Sequence, residues 1–284
     1  NSKKPELFNI VPPDLSQKEQ ALELCESSNG PVASIFYAGL SKMDKTKESK
    51  LDLVAVLRTA ERLGFSEGVD NHFSCLNPHS ENSFFINPHR IHWAEISLSD
   101  IVEIDFNGQV LGNSAPPEAT AFFIHSRIHK KCPDAFCVLH THMRYATALS
   151  MLENTRVEPA IQGALKFYGQ IAYHDEFGGL ALDGSEGDRL AEALGKKRIL
   201  FLANHGVIIA GKSVAHAFND LYYLEQVCRA QITALSSGKI LKMIPDDIAQ
   251  STFEQMQDDR DDQATHHFAA MKRILDRETP EYKK

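Results

Sequence analysis

The chain has 284 residues, of which 43% are hydrophobic and 24% charged, and its formal net charge is −8 at pH 7. A chain of this size buries one large core or two small ones, and an acidic balance with no basic stripe argues against a nucleic-acid partner. No apolar run approaches the ~20 residues of a membrane helix.

Cys25, Cys75, Cys132, Cys137 and Cys228 include no CxxC pair, which predicts free thiols in a reducing cytoplasm rather than thiolate metal ligands. Residues 1–45 predict an N-terminal extension: Pro12, Pro13 and Pro31 interrupt them, and one short helix is expected near Gln17–Cys25. The first residues carry no apolar segment, so no secretory signal is expected. Lys45–Leu63 predicts a helix, because Leu51, Val54, Leu57, Ala60 and Leu63 recur on one stripe. Gly64 follows where a helix C-terminus needs a residue tolerant of positive φ.

From Asp70 the pattern becomes that of strands. His72–Leu76, Phe84–Asn87 and Ile101–Asp105 are short apolar runs, and Asn107-Gly108 before Gln109–Leu111 predicts a hairpin. Pro116 and Pro117 lead into a helix from Glu118 to about Lys130. Ala135–Leu139 predicts a buried strand running into His140-Thr141-His142. Helices are expected at Tyr145–Leu152, at Asp183–Leu194 with Gly195 as its cap, and at Val214–Ser236 ended by Gly238. Ile199–Leu202 and Val207–Ala210 are strand-like and flank Asn204-His205-Gly206. Residues 46–243 thus form a single mixed domain with helices over a central sheet. Residues 244–284, with the acidic run Asp258-Asp259-Arg260-Asp261-Asp262, predict a C-terminal tail carrying one helix near His266–Asp276.

The chemistry concentrates on histidine. Residues i and i+2 of a strand share a face, so His140 and His142 project side by side. His205, from a distant part of the chain, completes a three-histidine cup with an open position, the layout of a catalytic metal site. Neutral imidazoles suit Zn²⁺ first, with Fe²⁺ or Mn²⁺ as alternatives. The plain reading of such a pair, one ring in the core and the other in solvent, conflicts with the shared face. His125 and His129, one helical turn apart, could also bind a metal, but are read as packing or hydrogen-bonding behind the His140 strand. Glu225 lies in an apolar helical stripe and needs a buried partner, such as an arginine or a ligand imidazole. His174-Asp175-Glu176 is read as a surface turn, and no glycine loop is suited to cradling phosphate.

Glu67-Gly68, Asn71-His72-Phe73-Ser74, Ile86-Asn87-Pro88, the run Ser99–Asp105, Ile124-His125, Pro133-Asp134, His140-Thr141-His142 and Asn204-His205-Gly206 stand in an order that resembles the class II aldolase/adducin family. The resemblance spans about two thirds of the chain, from Leu51 to Ser237. It implies an α/β fold, a three-layer α/β/α sandwich around a central mixed, largely antiparallel sheet. It also implies a divalent metal on His140, His142 and His205, a small-molecule substrate, and a homo-oligomer, often a tetrameric ring.

Departures from the family pattern narrow the expected chemistry. The family's phosphate aldolases carry Gly-Asn-x-Ser where this chain has Asn71-His72-Phe73-Ser74, and Pro-Thr-Gly or Pro-Ser-Gly where it has Pro88-His89-Arg90. Their acid, four residues before the helix histidine, falls on Ala121. Glu118 becomes the candidate catalytic carboxylate in a shifted position, or only a charge favourable to the helix dipole. His72, His89 and Arg90 become candidates for binding a substrate carboxylate or another anion, the alternative being an exposed loop with a solvated arginine. The expected protein is a cytoplasmic, metal-dependent, lyase-type enzyme for a small hydroxy-carbonyl or hydroxy-acid compound, not a phosphosugar. The alternatives are an iron-dependent oxygenase- or decarboxylase-like member and a non-enzymatic adducin-like cytoskeletal scaffold, whose kind the resemblance implies to lack the metal histidines.

Overall fold

The computed structural model describes residues 22–28, 30–154, 156–179 and 183–284. The chain divides into two compact units, one ending at Ser49 and the other comprising Lys50–Lys284. Helix α1, Pro31–Arg62, begins in the first and ends in the second. It is longer than the periodicity predicts. Its first turns expose Ile35 and Phe36, so no buried stripe marks them in the sequence. Of the helix expected near Gln17–Cys25, residues 22–25 are helical and the rest lie outside the described residues.

Among its described residues the second unit is organised by seven strands: β1 His72–Leu76, β2 Ser83–Ile86, β3 Val102–Asp105, β4 Cys137–Thr141, β5 Ile171–His174, β6 Ile199–Leu202 and β7 Gly206–Gly211. They form one sheet in the order β3-β2-β1-β4-β7-β6-β5. Every neighbouring pair is antiparallel except β5 and β6. A parallel pair needs a crossover, which helix α4, Gly184–Leu194, supplies.

Strand alternation builds the two cores. Val138 and Ile208 point to one face, where helix α2 (Ala119–Lys131) and α4 cover them with Ile124, Ile128, Leu190 and Leu194. Leu139 and Ile209 point to the other face. There they meet Leu53 and Leu57 of α1, Ala146 and Leu149 of α3 (Arg144–Ser150), and Phe218 and Leu221 of α5 (Val214–Leu235). Helices on both faces of a mixed sheet make the expected three-layer α/β/α sandwich. The α2–α4 contact leaves no room for a side chain at Gly187, where a Cβ would overlap the Phe123 carbonyl oxygen and come within 2.9 Å of Arg127 Cγ. Gly187→Ala is expected to cost about 3 kcal/mol of stability, read as a lower denaturant midpoint. An unchanged midpoint would contradict this packing.

Two expectations need correction. The hairpin closes at Asn107-Gly108, with Asp105 N–H donating to the Gln109 carbonyl at 2.9 Å and Leu111 N–H to that of Glu103 at 2.8 Å, but Gln109–Leu111 forms no strand and pairs through a bridge between Ile104 and Val110. The Asp105 carboxylate accepts from the backbone N–H groups of Asn107 at 2.9 Å and Gln109 at 2.8 Å, folding the chain into a tight turn. The C-terminal region holds two helices rather than one, α6 (Asp246–Asp258) and α7 (Arg260–Glu278). Phe268, Leu275 and Tyr282 enter the same core as Leu139. Within the acidic run, Arg260 turns inward and shares Asp220 with Arg198, at 3.0 and 2.9 Å.

Candidate metal centre

β4 carries His140 at its buried end, paired across the sheet with His72 of β1 and Ile208 of β7. His142 lies just beyond the strand. His205 sits in the short turn between β6 and β7, where Asn204 takes φ 56°, a left-handed conformation that asparagine tolerates. The turn is pinned by Asn204 N–H donating to the Ser150 carbonyl at 3.1 Å and His205 N–H to that of Leu202 at 3.2 Å. Gly206 completes the close approach: a Cβ there would lie 2.8 Å from both His142 Cδ2 and the Thr141 carbonyl oxygen.

These elements bring one ring nitrogen of each of His140, His142 and His205 within 4.8 Å of the others. His140 Nδ1–H donates to the Val207 carbonyl at 3.1 Å, and His142 Nδ1–H donates to the Glu67 carboxylate. In a neutral imidazole the other nitrogen then carries a bare lone pair. The two bare Nε2 atoms face each other at 3.3 Å, an arrangement that repels unless a cation lies between them. Two ligands on ~2.0–2.1 Å bonds at a tetrahedral centre are separated by roughly that distance. A ligand histidine also commonly anchors its second nitrogen on a carboxylate or carbonyl, as both do here. The residues present therefore fit a divalent ion.

Burial, reinforced by neighbouring imidazoles, holds His140 far below its ordinary pKa, and burial with His142 beside it brings His205 down to about 4. Each is uncharged at neutral pH. His72 lies against His140, with ring centroids 4.7 Å apart, and burial lowers it to about 3. Its Nδ1 meets His125 Nε2 at 2.7 Å; His125 Nδ1 bonds Ser74 Oγ, which meets His129 Nε2 at 2.7 Å. His125 and His129 are behind the strand as expected, hydrogen-bonded in series.

A cavity of about 640 Å³ takes in the candidate metal, substrate-binding and catalytic residues His72, His89, Arg90, Glu118, His140, His142 and His205. His89 and Arg90 are exposed at it, and Arg90 takes φ 62°. Glu118 is the N-cap of α2, accepting from Ala121 N–H at 3.0 Å and from the Thr120 hydroxyl. Partial burial pushes its carboxyl up, but these bonds and the nearby His72 together leave it below the usual range.

Other expectations change. Among the described residues Glu225 forms an ion pair with neither an arginine nor an imidazole, though the charges of Arg144 and Arg229 favour its carboxylate. It caps α3, accepting from Tyr145 N–H at 2.8 Å and Ala146 N–H at 2.9 Å. His174 and Glu176 line the cavity instead of forming a plain surface turn, and only Asp175 turns away, pairing with Arg156 at 2.7 Å. Phe177 joins them with its ring 6.2 Å from that of His205. Sequence reasoning assigned no role to Glu67 or Asn71. Asn71 holds φ 71°, and its Oδ1 accepts from His142 N–H at 3.4 Å. The signal for both was their place in the motifs that carry the family resemblance, which names no partner for either.

Comparison with known proteins agrees with this architecture. The sequence model of the family described as "Class II Aldolase and Adducin N-terminal domain" matches residues 51–232. The "Putative aldolase class 2 protein" of Caulobacter vibrioides is 32% identical over 204 residues, covering 72% of this chain and 79% of that relative. Human beta-adducin is 29% identical over 255 residues, 84% of this chain but 34% of its own length. Among solved structures, an aldolase II superfamily protein from Pseudomonas syringae superposes with a TM-score of 0.79 at 32% identity, over 84% of this chain and 96% of its own.

Proposed function

The chain belongs to the class II aldolase and adducin family, and on that footing we propose that it is a cytoplasmic, metal-dependent, lyase-type enzyme acting on a small hydroxy-carbonyl or hydroxy-acid compound, not a phosphosugar. The observation that carries the proposal is the pair of bare Nε2 atoms of His140 and His142, 3.3 Å apart, with His205 completing the group. These three side chains would hold the ion, zinc first, with iron or manganese as alternatives. When bound, it supplies Lewis acidity toward a substrate carbonyl or carboxylate oxygen.

The chain's own residues do the rest. Glu67 and the Val207 carbonyl fix the ligand rings in orientation. Arg90 and His89, exposed at the cavity, receive an anionic substrate group, Arg90 through two parallel N–H donors. Asn71 and Arg90 stand where the phosphate aldolases have glycine, and both keep a left-handed backbone, φ 71° and 62°. Side chains thus occupy left-handed turns where the resemblance puts glycine, which supports a substrate without the phosphate. Glu118, ionised and close enough for its charge to act on His72, is the carboxylate proposed to take the substrate proton in place of the acid missing at Ala121. A homo-oligomer, a tetramer in the first instance, belongs to the same proposal.

The similarity to beta-adducin over 84% of this chain favours a second reading, a scaffold without turnover. Incubating metal-reconstituted protein with hydroxyketones, 2-hydroxy acids and fuculose 1-phosphate separates the readings. Turnover confined to unphosphorylated compounds is the expected result. Robust cleavage of the sugar phosphate would show that Ala121 and Arg90 are misread. Carbon dioxide release or oxygen uptake would select an oxygenase or decarboxylase. Bound metal without any turnover, together with capture of a cytoskeletal filament, would select the scaffold.

A further inference from the structure

The buried chain behind His72 has a direction. It ends on the Ala135 backbone carbonyl, which lies 2.6 Å from His129 Nδ1 and can only accept. His129 must therefore carry its proton on Nδ1, leaving Nε2 bare. Ser74 Oγ, 2.7 Å from that Nε2, must donate its only proton to it. The serine oxygen then accepts from His125 Nδ1–H, so His125 Nε2 is bare in turn. His72 Nδ1, 2.7 Å away, must donate to it. Each of the four links has one donor and one acceptor, and a reversed chain would set two lone pairs against each other at Ala135.

We propose that Ser74, His125 and His129 are positioning residues that fix His72 in the Nδ1–H tautomer and present its bare Nε2 to the cavity beside the metal centre. Among the described residues this Nε2 has no hydrogen-bond partner, and His72 lines the cavity. A bare ring nitrogen accepts and cannot donate. The ligand group set against His72 is therefore a donor, and in the proposed substrate class that group is a hydroxyl; an oxyanion or a carbonyl oxygen is disfavoured there. His89 and Arg90 are left to receive the anionic end. Two faces of one cavity thus read different ends of the same small molecule. The tautomer is independent of any metal, while the identity of the donor as a substrate hydroxyl rests on the function proposed above.

The relay links residues with two periodicities. His72 and Ser74 are i, i+2 on β1, and His125 and His129 are i, i+4 on α2, so each pair faces the other element. All four are buried, Ser74 and His125 completely. A buried polar group stays in place only when it is hydrogen-bonded, so breaking one link forces its neighbours to reorganise.

Neutron diffraction from deuterium-exchanged crystals of the metal-free protein reads the tautomers directly. Wild type is expected to show deuterium on His72 Nδ1 and none on Nε2. Ser74→Ala is expected to lose this single state, with deuterium shared between the two nitrogens, and Ser74→Thr, which restores the hydroxyl, to recover it. Deuterium on His72 Nε2 in wild type, or an unchanged His72 in Ser74→Ala, would overturn the relay. Zinc uptake by metal-free protein from the same preparations separates the two claims: protein that takes up no metal but shows the expected tautomer refutes the metal reading and upholds the relay.

Discussion

Metal-free protein is expected to lose most of its stability between pH 6.5 and about pH 4. Burial holds His72 near a pKa of about 3 and His129 near about 4, against an ordinary value of 6.5. In the unfolded chain both take up a proton below pH 6.5, whereas the native state refuses it until about pH 4. The unfolded state therefore binds more protons across this window, and stability falls as pH falls. Each such group contributes about 1.4 kcal/mol per pH unit, so two over about 2.5 units remove roughly 7 kcal/mol. Burial also keeps His125 and His140 far below their ordinary values, so both act in the same direction. Against a total stability of about 5–15 kcal/mol, the loss is large enough to unfold the protein before carboxylate titration is complete. Guanidinium unfolding at a series of pH values measures it. His129→Phe should make the slope shallower by about 1.4 kcal/mol per unit. A flat profile between pH 6.5 and 5 would show that these imidazoles are protonated, or solvated, in the native state.

Gly206→Ala should disable the metal centre while leaving every ligand side chain in the sequence. The added Cβ would sit 2.8 Å from the Thr141 carbonyl oxygen and from His142 Cδ2. The carbonyl cannot yield, because Thr141 is paired with Val207 in the β4–β7 ladder. The substitution must therefore push the His142 ring away from His140, or part the strands. Gly206 is not among the positive-φ glycines, so the effect is steric crowding and not backbone strain. Displacing an anchored ligand costs roughly 10–100-fold in metal affinity, and overpacking costs about 1–3 kcal/mol of stability. Titrating zinc against a competing chelator reads the first, and chemical denaturation the second. An affinity within twofold of wild type would mean that His142 does not need its present position.

Much of this was legible in the sequence because it depended on chain-local periodicity. The period of two put His140 and His142 on one side, and the apolar runs around Asn204-His205-Gly206 marked two strands with a functional turn between them. What stayed hidden was identity of partner. The stripe on α5 showed that Glu225 is buried, but its partners are the backbone N–H groups of Tyr145 and Ala146, and a helix N-terminus has no side chain to notice. Glu67 likewise becomes meaningful only once the loop folds over His142. Of the relay, only the pair His125 and His129 stood out in the sequence, and only the packing of α2 against β1 joins it to His72 and Ser74. Helix α6 was missed although Pro245 followed by Asp246 and Asp247 is an ordinary helix start. The acidic composition around it suggested a solvated tail, and only Ala249 of α6 is buried.

The metal centre is tested most directly by elemental analysis of purified protein after zinc reconstitution and desalting, for wild type and His140→Ala side by side. Three imidazole ligands with an open fourth position predict about one equivalent per chain in wild type, and less than about a tenth in His140→Ala. Wild-type protein holding less than about a tenth of an equivalent, unchanged by the substitution, would contradict a metal site at His140, His142 and His205.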